Sequence, residues 1–104
     1  MIERLWRGWT EPADADAYER LLREQVFADL AEEIDGYRGV RILRRETDEC
    51  VEFLTAMRFE SIDAVEQFAG GDYEQAHVPP EARDLLCRFD DHAEHFEIRA
   101  EIEV

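Results

Sequence analysis

Cys50-Val51-Glu52-Phe53-Leu54-Thr55-Ala56-Met57-Arg58-Phe59 is the segment that decides the architecture. Side chains alternate across a strand, so Val51, Phe53, Met57 and Phe59 share one side. Leu54 and Ala56 fall on the other, beside Glu52 and Arg58. A strand with apolar groups on both sides needs cover on both sides. Just upstream, Val40 to Glu46 reads as a second strand, joined to the first-quoted segment through Thr47-Asp48-Glu49 as a hairpin. Ile2 to Thr10 forms another strand by aromatic content and alternation, and Glu11-Pro12 ends it. Its two tryptophans, Trp6 and Trp9, are three apart and so point to opposite faces of the sheet.

The helices follow from spacing and punctuation. Asp16 followed by Glu19 resembles a capping box. From there Tyr18, Leu21, Leu22, Val26, Leu30 and Ile34 make one apolar stripe, which Asp35-Gly36 stops. Ser61 caps a second helix carrying Ile62, Val65, Phe68 and Ala69, and Gly70-Gly71 ends it. Asp72 to Val78 lead into Pro79-Pro80 and a short helix from about residue 80 to 86, after which His92 to Ile102 form the last strand. The order predicts one α+β domain over residues 1–104, a ferredoxin-like βαββαβ sandwich with a four-stranded antiparallel sheet and helices on one face. A homodimer stacking sheet on sheet would cover the other face, giving a dimeric α/β barrel.

Composition excludes several functions. Twenty-seven acidic residues against 12 basic ones give a net charge of −15, opposite to the basic footprint that nucleic acid or an anionic membrane requires. All the basic residues are arginine, and lysine and asparagine are absent. With so many carboxylates this fits a salt-adapted source, where self-repulsion is screened. No apolar run approaches a bilayer span, and the N-terminus lacks a signal-peptide layout, so the expected location is cytoplasmic. Cys50 and Cys87 read as free thiols, too few for a disulfide framework or a four-thiolate cluster. His92 and His95 face opposite ways on a strand, so no metal site is expected.

These segments are similar to the antibiotic-biosynthesis-monooxygenase-like (ABM) group of the dimeric α/β-barrel superfamily. The resemblance covers nearly the whole chain. It rests on Trp6-Arg7-Gly8, Gly39 with Leu43-Arg44-Arg45, and Phe68-Ala69-Gly70 with Asp72. Pro80-Glu81 and His95-Phe96-Glu97-Ile98 complete it. It implies the sheet-on-sheet dimer and a pocket between helices and sheet. One activity it implies is cofactor-independent oxygenation of a small aromatic or quinol-like substrate by dioxygen. Such a site needs an aromatic wall, a base and a cation near the developing oxyanion. Trp6, Phe68 and Tyr73 are candidates for the wall, His95 or His77 for the base, and Arg44 or Arg7 for the cation.

Each residue also has a structural reading. His95 matches the last-strand histidine of the group, or it is a histidine hydrogen-bonded to a neighbouring strand or to the dimer partner. His77 resembles the axial iron ligand of haem-degrading relatives, or it is an exposed loop residue. Those relatives also use a first-strand asparagine and a tryptophan in the second helix, whereas this chain has no asparagine and offers only Phe68 there. Haem is therefore the weaker alternative to no cofactor, and a non-catalytic dimer binding a small apolar ligand is another.

Overall fold

A computed structural model describes all residues, Met1–Val104. Its sheet is antiparallel throughout, and β1 (Ile2–Thr10) lies inside it. One edge of β1 pairs with β3 (Val51–Phe59) over its whole length, from Ile2 opposite Phe59 to Thr10 opposite Val51. β2 (Tyr37–Glu46) flanks β3, three residues longer at its start than the apolar run suggests. Tyr37 belongs to the core, and a register shift at Gly39, whose φ of +130° suits glycine, joins it to the regular ladder.

The other edge of β1 carries two short strands where one was expected. β4 (Leu86–Phe89) pairs with Gly8–Thr10, and β5 (Glu94–Glu97) pairs with Ile2–Leu5. Between them the chain leaves the ladder because Trp6 intervenes. Its indole Nε1 donates to the Asp90 carbonyl at 2.7 Å, while Asp90 N–H still reaches the Arg7 carbonyl at 3.0 Å. The expected last strand over 92–102 is thus confined to Glu94–Glu97, and the helix before it, α4 (Pro80–Leu85), stops early so that Leu86 can enter β4. Residues 98–104 lie outside the sheet, tied at their start by Ile98 N–H to the Met1 carbonyl, 2.9 Å, and by the Arg99–Glu97 ion pair. The sheet therefore has five strands in four positions, an α+β, ferredoxin-like arrangement.

The first helical region is also interrupted. Pro12 begins a 3-10 turn, Pro12–Asp14, which leads directly into α1 (Ala15–Leu21), so the helix starts before Asp16 could cap it. Asp16 and Glu19 instead accept hydrogen bonds from Arg44 Nη1 on β2, at 2.9 and 3.1 Å. Leu22–Val26 is a wider, π-helical turn closed by Phe27 N–H to the Leu22 carbonyl at 2.9 Å, and one further turn, α2 (Leu30–Glu33), follows. Leu22 and Val26 would share a face in a regular helix, and the extra residue in the turn brings Phe27 round to join them at the cavity. α3 (Ile62–Ala69) matches expectation: Ser61 Oγ accepts from Ala64 N–H, and Gly70 ends it.

All helices lie on one face of the sheet. Leu30, Ile34, Tyr37, Met57, Phe59, Ala64 and Val65 form one core cluster, and Ala15, Tyr18, Leu22, Val51, Phe53 and Ala82 the other. Trp6 is on this side, and Trp9 is on the opposite face under Arg88, whose guanidinium lies 4.1 Å from its ring centroid. Around Trp9 the uncovered face holds Leu5, Leu43, Leu54 and Phe96 among ion pairs such as Arg7–Glu52, Arg45–Glu52 and Arg41–Glu3. Leu43 and Phe96 are 42% and 52% exposed there. No helix is long and apolar enough to cross a membrane.

Candidate functional site

Between the two core clusters the helix-side face of the sheet holds a cavity. β1 supplies Arg4 and Trp6 to its floor, and β3 supplies Thr55 and Met57 beside them. The widened turn contributes Leu22, Val26 and Phe27, α1 contributes Tyr18, and Phe68, His77 and Val78 close the far side. The space measures about 440 Å³ counting its open mouth, but only about 30 Å³ is open to the centre of a water molecule. Its depth therefore takes one or two waters, and a larger ligand enters by displacing the wall.

Two ionisable side chains and one phenol face this apolar space. Arg4 is only 3% exposed, a place where a charge must be hydrogen-bonded to persist. Its Nη1 donates to the Tyr73 carbonyl at 2.5 Å and to His95 Nε2 at 2.9 Å, and Nη2 donates to the Gln75 carbonyl at 3.3 Å. Its guanidinium lies 5.6 Å from the Phe68 ring centroid. Burial draws its pKa down to about 10, which still leaves it charged at neutral pH. His77 sits at the exposed mouth with its ring edge-on to Phe68, centroids 5.2 Å apart. Burial pushes the Tyr18 phenol well above its ordinary range, so that hydroxyl stays a hydrogen-bond donor.

The segment after α3 is shaped by these contacts. Ala76 N–H reaches the Asp91 carbonyl and Ala93 N–H the Glu74 carbonyl, both at 2.8 Å, so residues 73–76 run beside the break between β4 and β5. That alignment presents the carbonyls of Tyr73 and Gln75 to Arg4. Directly opposite Arg4 in the β1–β5 ladder stands His95.

The structure sorts the sequence candidates into three places. Trp6, Phe68 and His77 line the cavity. His95 and Tyr73 stand behind it: His95 accepts from Arg4, and Tyr73 packs edge-on against His95 with centroids 5.0 Å apart. The two histidines are thus joined through Phe68 and Arg4 and do not share the cavity wall. Arg7 and Arg44 are elsewhere. Arg7 is on the uncovered face with Glu52 and Glu94, and Arg44 is held by Asp16 and Glu19 against the Phe53 ring. The cation that reaches the cavity is Arg4, which sequence reasoning passed over. Its signal was present, because Arg4 shares a strand face with Ile2 and Trp6. No three His, Cys, Asp or Glu side chains converge on a point that would hold a metal ion.

Three solved structures have the same fold. A mutant of MhuD with two manganese protoporphyrin IX bound per active site is 20% identical, with a TM-score of 0.67 over 100% of both chains. The haem degrader MhuD from Mycobacterium tuberculosis, with two haems bound in its active site, is 18% identical with a TM-score of 0.60, covering 99% of this chain and all of that one. A candidate antibiotic biosynthesis monooxygenase from Bacillus cereus is 16% identical with a TM-score of 0.59, covering 99% of this chain and 94% of that one. No protein-family model and no curated protein matches the sequence. At these identities the likeness establishes the fold, and the neighbours agree with the ABM-like resemblance carried by the sequence segments.

His95 gives the site a pH signature. Burial first, and the Arg4 charge second, hold its pKa below the ordinary 6.5, against a smaller upward pull from Glu74. The folded protein therefore binds this proton less readily than the unfolded chain. The stability His95 contributes is complete above about pH 6.5 and is lost as pH falls through its lower folded value. Urea midpoints are expected to fall in that window for the native chain. They should fall less in His95→Gln, which keeps an acceptor for Arg4 but does not titrate. Equal pH slopes for the two proteins would contradict this placement of His95.

Proposed function

We propose that the chain is a cofactor-independent monooxygenase that uses dioxygen to oxidise a small aromatic, quinol-like substrate in the Arg4–Trp6–Phe68–His77 cavity. The observation that carries this reading is an aromatic-walled apolar cavity with a cation at its floor and an imidazole at its mouth. In the simplest case the substrate is a phenolic ring ketone with an acidic methylene. His77 removes a proton from that carbon, and the negative charge spreads to the ring oxygen, where Arg4 stabilises it. The anion passes one electron to dioxygen, and the two radicals join to form a C–O bond. The peroxide takes its proton back from the imidazolium. It then loses water, breaking the O–O bond, so CH₂ and O₂ become C=O and H₂O. The protein holds the anion and excludes bulk water, and the substrate supplies every electron.

Haem suits this cavity poorly. The cavity as it stands, about 440 Å³ with its mouth included, is smaller than a porphyrin, and the chain has no asparagine for the first strand and no tryptophan in α3. A non-catalytic role for the same cavity, binding without turnover, is the second reading, supported by its narrow depth.

The test is dioxygen consumption with an anthrone in chelator-treated protein, kept in molar salt. One O₂ taken up per substrate without hydrogen peroxide is expected, with kcat/KM falling about 10²-fold or more in His77→Ala. Uptake no faster than the uncatalysed rate would leave the binding role, and a sharp Soret band on haemin titration would move the assignment to haem.

We also propose that the protein works as a homodimer closed through the uncovered sheet face. Leu5, Leu43, Leu54 and Phe96 supply the apolar part of that face. Light scattering in molar salt is expected to give twice the 12.2 kDa chain mass, and Leu54→Glu to give the single mass. A native protein of single mass would refute the dimer.

A further inference from the structure

Two charged side chains are buried in this fold, and they are treated in opposite ways. Glu52 is flanked by Arg7 and Arg45, at 3.4 and 2.8 Å. Arg4, more deeply buried, meets no carboxylate at all, in a chain with 27 of them. Its three partners are two backbone carbonyls and a histidine that must be neutral to accept. They solvate the guanidinium without cancelling its charge.

A guanidinium has five N–H groups. Both hydrogens of Arg4 Nη1 and one of Nη2 are engaged. Nε–H has no acceptor in the protein, and Nη2 makes a single bond. Nε and Nη2 lie on the same edge of the planar group, the edge that takes the two oxygens of a carboxylate in parallel. Arg4 is a wall of the cavity, whose remaining surface is mostly apolar and includes the rings of Trp6 and Phe68.

We propose that the cavity is a receptor for a compact aromatic carboxylate, whose two oxygens bind the Nε–H and Nη2–H edge of Arg4 while its ring lies against Trp6 and Phe68. His95 is a positioning residue here: by accepting from Nη1 it fixes the guanidinium with its open edge free. This rests on the proposed function only in taking the same cavity as the ligand site, and it gives the open edge of Arg4 to a ligand carboxylate in place of the ring oxygen.

Salicylate and salicylamide differ by one group and are the probes. Isothermal titration of the full chain, both probes in the same salt, is expected to show salicylate binding at least about tenfold tighter. That preference should vanish in Arg4→Gln while salicylamide binding persists, and should shrink in Arg4→Lys, which keeps the charge but not the paired edge. Far-UV circular dichroism reports whether each variant folds. If Arg4→Gln does not, the native comparison and Arg4→Lys decide. Equal affinity for the two probes, no salicylate binding at millimolar concentration, or an unchanged preference in either folded variant would overturn the proposal. Dioxygen uptake separates it from the oxygenase reading. A carboxylate preference without turnover retires the oxygenase and leaves the receptor, and turnover without that preference does the reverse.

Discussion

A buried guanidinium with no counter-charge is the constraint around which this site is organised. Leaving a charge unsolvated in an apolar interior is prohibitive, so neighbouring groups must take the place of water. Here the replacement comes from the segment after α3 and from β5: two carbonyls, at Tyr73 and Gln75, and one imidazole, at His95. That requirement fixes where residues 73–76 run and explains their pairing alongside Asp91 and Ala93. It also keeps His95 neutral. The cavity inherits what is left over, a positive edge in a ring-lined space.

The same strand serves both sides of the sheet. On the helix side β1 presents Ile2, Arg4 and Trp6, and on the other Leu5, Arg7 and Trp9. Trp6 does two things at once. Its ring walls the cavity, and its indole N–H captures the Asp90 carbonyl, which splits the fourth sheet position into β4 and β5. A widened helical turn on the opposite wall brings Leu22, Val26 and Phe27 together. Interruptions in regular structure thus occur on both sides of the cavity, where an unbroken strand or helix would have filled or closed it differently.

Period-2 patterning made the faces of β1 and β3 legible from sequence, because alternation depends on nothing beyond the strand itself. The opposed tryptophans and the two-sided apolar character of Val51–Phe59 could be read directly. Features set by distant partners could not. The apolar stripe from Tyr18 to Ile34 is compatible with an unbroken helix, and only packing against the cavity distinguishes a widened turn. Leu85-Leu86-Cys87 continues a helical pattern as easily as it starts a strand. For the site, three of the expected wall and base residues reach the cavity, namely Trp6, Phe68 and His77. The choice among arginines depended on which strand position faces inward beside a neutral histidine, a matter of register between β1 and β5 some 90 residues apart in the chain.

The most direct test of an uncompensated Arg4 is anomalous diffraction from a crystal soaked in bromide, a small anion that needs no knowledge of the natural ligand. A bromide peak in the cavity, within hydrogen-bonding distance of Arg4 Nε and Nη2, is the predicted result. A carboxylate side chain folded onto that edge, with no halide beside it, would contradict the account.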